Sequence, residues 1–195
     1  LGRLGISDGW IIDVGGHHGH ALRPFAERGF GIVAFEPDAE NRKVLSAQTK
    51  GRGNVRIDPR AVGDRPAQTA SFYRSDQSSG ISALTPFHAT HFEGDPVTVT
   101  TLSAALTEHQ VSDVACLKID TEGHDLHVLR GHAWGRTRPA VVVCEFEDAK
   151  TVPLGYRFDD LARFLVARNY DVYVSEWHPI ERYGVRHSWR TIKPY

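Results

Sequence analysis

The sequence predicts an α/β fold, built on a doubly wound, mostly parallel sheet in a single domain over residues 1–195. Three observations predict it. Short β-branched runs alternate with amphipathic stretches along most of the chain. A glycine-rich turn, Gly15-Gly16-His17-His18-Gly19, follows the first apolar run directly. Two later runs, VACLKID and AVVVCE, have the near-continuous apolar character of buried parallel strands. A length of 195 residues suits one domain, and 41% hydrophobic against 24% charged residues suffices for a core under a solvated surface.

The elements follow in order. Residues 10–14 form the first strand, and a helix after the turn carries Ala21, Leu22, Phe25 and Ala26 on one face. Residues 31–36 form a second strand, stopped by Pro37, and Asp38 caps a helix over residues 39–49. A third strand spans residues 55–62. An irregular insert follows, with a strand at 69–74, a polar loop at 75–82 and a strand at 97–101 that leads into a short helix. Residues 114–120 form the next strand, residues 122–131 a helix, and residues 140–145 another strand, these two strands reading as central. Phe158, Leu161, Ala162 and Leu165 share a helical face, and residues 170–174 alternate as a strand.

Charge and composition exclude several functions. Lys and Arg total 23 against 24 Asp and Glu, a net charge of −1, which argues against a protein that binds by neutralising nucleic-acid phosphates. No run of about 18 apolar residues is present, and the first residues lack the basic and apolar regions of a signal peptide. The expectation is a soluble, cytoplasmic protein without membrane partners. Cys116 and Cys144 lie in apolar runs and read as reduced core residues. Methionine is absent, so we expect the stretch to be cut from a longer, multidomain polypeptide.

Parallel sheets bind ligands at the carboxyl ends of their strands. Asp13 and the turn from Gly15 to Gly19 stand at such an end, where glycines let a ligand approach the backbone. The G-x-G-x-x-G dinucleotide fingerprint fails, because His17 takes the place of its second glycine, and an NAD-dependent oxidoreductase loses ground. Glu36 ends the second strand, where an acid accepts hydrogen bonds from ribose hydroxyls. Alternation in VACLKID places Lys118 and Asp120 on one face, with Asp120 at the crevice edge. Glu122 and Asp125 read equally as helix caps or as catalytic acids. Glu145 ends the neighbouring strand and either converges with Asp120 or solvates the sheet edge. The eleven histidines lack zinc-site spacing; His88 and His91 suit a substrate lid or plain loop packing. Magnesium on Asp120, Glu122 and Glu145 is chemically feasible, but the acids serve equally without it, and no metal is expected.

The run Leu117-Lys118-Ile119-Asp120-Thr121-Glu122-Gly123-His124-Asp125-Leu126-His127-Val128-Leu129-Arg130-Gly131 resembles the LKIDxEGxExxVLxG signature of FkbM-type methyltransferases. Ile12-Asp13-Val14-Gly15, Phe35-Glu36-Pro37, Ala61-Val62-Gly63-Asp64 and Val141-Val142-Val143-Cys144-Glu145 resemble other segments of that family, in the same order. His17 and His18 depart from it, where Asn and an apolar residue are common. The resemblance implies a Rossmann-like, class I methyltransferase fold and transfer of a methyl group from S-adenosylmethionine, leaving S-adenosylhomocysteine. The acceptor it implies is a hydroxyl on a sugar, glycan or other small metabolite. Under that reading Asp13, Gly15, Gly16, His17 and Gly19 shape the pocket for the amino-acid part of the cofactor. Glu36 and Pro37 hold the ribose and Val62 and Asp64 lie on the adenine side; the loop Ser78-Ser79-Gly80, with Ser79, either touches the cofactor or merely turns. Asp120 positions or deprotonates the acceptor, with His124 as alternative base and Glu145 in support. It also implies a terminal hairpin over residues 184–195. A silent nucleotide-binding module within a larger carbohydrate-processing protein is the reading from another class.

Overall fold

The computed structural model describes residues 1–135, 137–178 and 188–195. In chain order its first strands and helices are β1 (Trp10–Val14), α1 (Arg23–Ala26), β2 (Gly31–Phe35), α2 (Ala39–Gln48), β3 (Val55–Asp58) and β4 (Ala61–Gly63). The insert carries β5 (Ala67–Ala70), β6 (Tyr73–Ser75), β7 (His91–Glu93), β8 (Val97–Thr101) and α3 (Leu102–Glu108). The chain continues through β9 (Val114–Ile119), α4 (Asp125–Arg130), β10 (Val141–Cys144), α5 (Asp148–Thr151), α6 (Phe158–Val166), β11 (Tyr173–Trp177) and β12 (Trp189–Pro194).

The central sheet is fully parallel, in the order β10-β9-β1-β2-β3. Strand order reverses between β1 and β9, so the crevice for a ligand opens at the carboxyl ends of these two strands. Alternation along the strands divides the core. Ile12, Val14, Val33, Phe35, Leu117 and Ile119 pack with α3, α4 and α6, whereas Ile11, Ile32, Ala34 and Cys116 pack with Leu22 just before α1, Ala26 of α1 and Leu45 of α2. Helices therefore cover both faces, and the α/β, Rossmann-like class expected from the sequence is the one observed. Among the described residues no helix is long and apolar enough to cross a membrane.

Several boundaries differ from the expectations, each for a local reason. The strand expected over residues 55–62 breaks at Pro59: Asp58 accepts from the Arg60 amide and pairs with its guanidinium, and the chain leaves the central sheet to pair as β4 with β8. The strand at 69–74 divides into β5 and β6, which belong to two small separate sheets. The helix expected from residue 122 begins at Asp125, because Glu122 (φ 55) and Gly123 (φ 103) form a turn. The helix after the glycine-rich turn is reduced to α1. The strand β10, read as central, is an edge strand in which Val143 is 50% exposed, and Cys144 is only half-buried by its surface area. The strand expected at 170–174 begins at Tyr173 and pairs antiparallel with β12. Residues 184–187 of the expected hairpin lie outside the described residues.

Candidate active site

A cavity of about 260 Å³ opens at the reversal point, between the ends of β1, β2, β4 and β9. Gly15, at the end of β1, has φ +85, and a β-carbon there would stand 1.9 Å from the Asp120 carbonyl oxygen. Only glycine lets the turn pass this close to β9. Gly15 and Gly16 donate their amides to the Phe35 carbonyl, which ties the turn to the end of β2. Gly19 (φ +83) lies under Leu45 of α2, where it serves packing rather than the cavity wall.

Glu36 is buried at the end of β2 and lines the cavity beside Pro37. Its Oε2 accepts from the His17 amide at 2.7 Å and its Oε1 from the Asp38 amide at 2.9 Å. The Asn41 side chain also favours its ionised form, and the carboxylate, with about four acceptor sites, keeps capacity for a ligand. Burial lifts the Glu36 carboxyl to about 7, against the two amide bonds, which favour the ionised form. Asp38 caps α2 through the amides of Glu40 and Asn41 and also meets Arg74 at 2.6 Å, so one residue fastens the insert to the sheet.

The roof of the cavity comes from that insert: Phe72, Ser79, Gly80, Ser82, Ala83 and Leu84. Ser79 is held from below twice, its hydroxyl by His17 Nε2 at 2.9 Å and its carbonyl by the Asn41 amide group at 3.1 Å. Burial lowers the His17 pKa.

Two lysines, neither assigned a role by sequence reasoning, organise the acids. Asp13 does not reach the cavity. It is buried beneath it, where Lys118 Nζ bridges Asp13 (3.0 Å), the Gly15 carbonyl (3.1 Å) and Asp120 (3.4 Å). Asp120 lines the cavity together with Glu122. Beyond them Lys150, from α5, meets Glu122 at 2.6 Å, Glu145 at 3.1 Å and Glu147 at 3.2 Å, with the Phe87 ring 5.3 Å away. Glu145 thus converges with Asp120 and Glu122: carboxylate oxygens of the three lie within 4.8 Å of one another. Burial, reinforced by Glu145, lifts Glu122 to about 8; burial also raises Glu145.

Asp125 acts as a bracket: it accepts from the Thr121 amide and hydroxyl and from the Glu145 amide, locking the ends of β9 and β10 together. Burial raises its carboxyl to about 7. His124 stands outside the cavity lining at the start of α4, with Nε2 3.5 Å from the Thr85 hydroxyl, and burial pushes its pKa down to about 4. Val62 lines the cavity, but Asp64 does not, because β4 ends at Gly63 and releases the next side chain to solvent. The structure therefore gathers Gly15, His17, Glu36, Pro37, Val62, Ser79 and Asp120 around one space, and leaves Asp13, Gly16, Gly19, Asp64, His124 and Glu145 outside its lining. Arg60, Asn41 and Phe72, which sequence reasoning missed, also line it.

The profile of the methyltransferase FkbM domain matches residues 13–172. The chain belongs to this family. The FkbM match runs from Asp13 on β1 to Val172 just before β11, and so contains the whole cavity and both lysine-centred clusters. The fold is similar to that of the crystal structure of methyltransferase FkbM from Methylobacillus flagellatus KT, with a TM-score of 0.53 and 17% identity over 89% of this chain and 41% of that one. The present chain thus spans about two fifths of the length of that FkbM protein. No curated protein sequence matches it.

Proposed function

We propose that the chain binds S-adenosylmethionine in the cavity and transfers its methyl group to a hydroxyl oxygen of a small molecule or glycan. The observation that carries this reading is Glu36: a buried carboxylate on the cavity wall, aimed by two backbone amides, with acceptor capacity left to take hydrogen bonds from ribose hydroxyls. The residues present fit the cofactor in other respects. The turn at Gly15 gives backbone access, Pro37, Val62 and Phe72 offer apolar surface for a flat base, and the Asp120 end is acidic, as suits a cationic sulfonium.

When bound, the cofactor would supply an electrophilic methyl group on a positively charged sulfur, and the neutral thioether would be the leaving group. The chain has to orient the acceptor oxygen and take its proton. Asp120, on the cavity wall, accepts the proton, and Glu122 beside it orients the acceptor. The roof from the insert keeps water from the reacting atoms.

Calorimetric titration with S-adenosylmethionine and S-adenosylhomocysteine tests the cofactor, followed by a methyl-transfer screen against sugars and hydroxylated metabolites. Glu36→Ala removes a charged acceptor worth about 1.5–3 kcal/mol, so S-adenosylhomocysteine affinity should fall roughly ten- to a hundredfold. Unchanged affinity in a folded variant rejects the assignment, and tight NADH binding by the parent favours a dehydrogenase instead.

A further inference from the structure

We propose that Lys150 is a positioning residue that supplies the counter-charge a divalent cation would otherwise supply, and that its ammonium gathers Glu122 and Glu145 beside Asp120 at the acceptor end of the cleft. The kinetic consequence rests on the methyl-transfer reading; the ion chemistry does not.

The Lys150 side chain is 2% exposed. Lysine is almost never buried unless paired, and here three carboxylates, Glu122, Glu145 and Glu147, stand at ion-pair distances of 2.6, 3.1 and 3.2 Å, with Glu145 accepting hydrogen bonds on both oxygens. The Phe87 ring lies 5.3 Å away, offering its negative face to the same charge. The three acids come from different places: the turn after β9, the end of β10, and the residue before α5. Nothing in their local sequence brings them together, and like charges this close repel. Lys150 is the cation that meets all three.

The spacing is one that a metal would accept. Oxygens of Asp120, Glu122 and Glu145 lie within 4.8 Å of one another, about the width of a hard cation with an oxygen on either side at 2.3–2.6 Å. An acidic pocket of this size gathers a divalent ion if left without a counter-charge. The buried ammonium supplies the counter-charge permanently and fixes Glu122 in the cavity wall. The charged groups acting on Glu122 are Glu145, just after β10, Lys150 of α5 and Asp120 of its own segment, and Glu147, the residue before α5, pairs with the same Lys150. Lys118 compensates Asp13 and Asp120, whereas Lys150 is the cation paired with Glu122 and Glu145, so removing its charge leaves those two acids without compensation.

The test uses Lys150→Met, which keeps the chain length and loses the charge, beside Lys150→Arg, which keeps the charge. Each is titrated with Mn²⁺ at pH 8 and followed by electron paramagnetic resonance and thermal melting. The parent and Lys150→Arg should take up no ion at the cluster, whereas Lys150→Met should bind one Mn²⁺ at least about tenfold more tightly than the parent. The added affinity should vanish in the double variant Lys150→Met, Glu122→Gln. If Lys150→Met does not fold alone, Mn²⁺ should restore its melting transition. A folded Lys150→Met without gained affinity, an unfolded one that Mn²⁺ does not rescue, or a parent that binds Mn²⁺ as tightly as the variant overturns the proposal. Once an acceptor is known, turnover by Lys150→Met should drop by about tenfold or more and recover with Mn²⁺, while S-adenosylhomocysteine affinity stays within about threefold of the parent. A parent that transfers no methyl group defeats the functional reading and leaves the ion titration to decide the role of Lys150.

Discussion

The carbonyl oxygen of Asp120 occupies the space that a side chain on Gly15 would need, at 1.9 Å from an ideal β-carbon. The two strands on either side of the reversal point therefore approach backbone to backbone, and the cavity floor has no slack at that point.

Gly15→Ala should cost about 2–4 kcal/mol in urea unfolding, since it adds a backbone collision to the penalty for a left-handed residue. Gly51 is the control: its φ is +80, and a β-carbon there would meet nothing within 4 Å, so Gly51→Ala should cost only the conformational part, about 1–2 kcal/mol. Equal losses in the two variants would show that the strands can separate freely at Gly15.

Asp120→Asn keeps shape and most hydrogen bonding while removing the basic carboxylate. Turnover should fall about 10²-fold or more, with S-adenosylhomocysteine affinity changed less than about tenfold. Single-turnover kinetics and thermal unfolding on the same sample separate this from a structural effect. Near-parental turnover would make Asp120 a structural residue held by Lys118 and move attention to Glu122.

Stability should decline above neutral pH. Burial raises Glu36 and Asp125 to about 7 and Glu122 to about 8, so the folded chain holds protons there that the unfolded chain has already lost near pH 4. Stability from these groups is complete below the unfolded values and is lost as pH rises through 7 to 8. On the acid side, burial lowers His17, His91, His124, His127 and His132, which destabilises the fold as pH drops below their unfolded values near 6.5. The melting temperature of the free chain should therefore peak between about pH 6 and 7 and fall by pH 8.5, with a shallower alkaline slope in Glu36→Gln. A flat profile from pH 6.5 to 8.5 would contradict these environments.

Methyl transfer should persist in excess chelator, because Lys150 already compensates the acids that a metal would need. Activity that vanished and returned specifically with magnesium would turn Asp120, Glu122 and Glu145 into ligands.

Residues at strand ends were the readable part of this site. Glu36, Gly15 and Asp120 follow apolar runs whose period reveals the strand, and a parallel sheet sends such residues to one edge. Glu145 came within reach for the same reason, although β10 proved an edge strand: three consecutive valines look buried, and only the neighbouring strands decide whether Val143 is covered. Lys150 left no such trace. It sits in a four-residue helix, and its partners are set by tertiary packing of α5 against the turn at Glu122 and Gly123. Apart from Ser79, the roof was equally hidden, since its residues are placed by single contacts such as Arg74 with Asp38 and Ser79 with His17. Asp64 misled because the matching motif continues one residue beyond the end of β4.

The roof is fastened to the strand ends by Arg74 with Asp38 and by Ser79 with His17 and Asn41, and it contributes neither Gly15, Glu36 nor Asp120. Its shape can therefore diverge while the machinery below stays the same. Exchanging residues 71–95 between related chains, with Arg74 and Ser79 retained as fasteners, would recast the entrance as an interchangeable part, selecting what is modified without altering how.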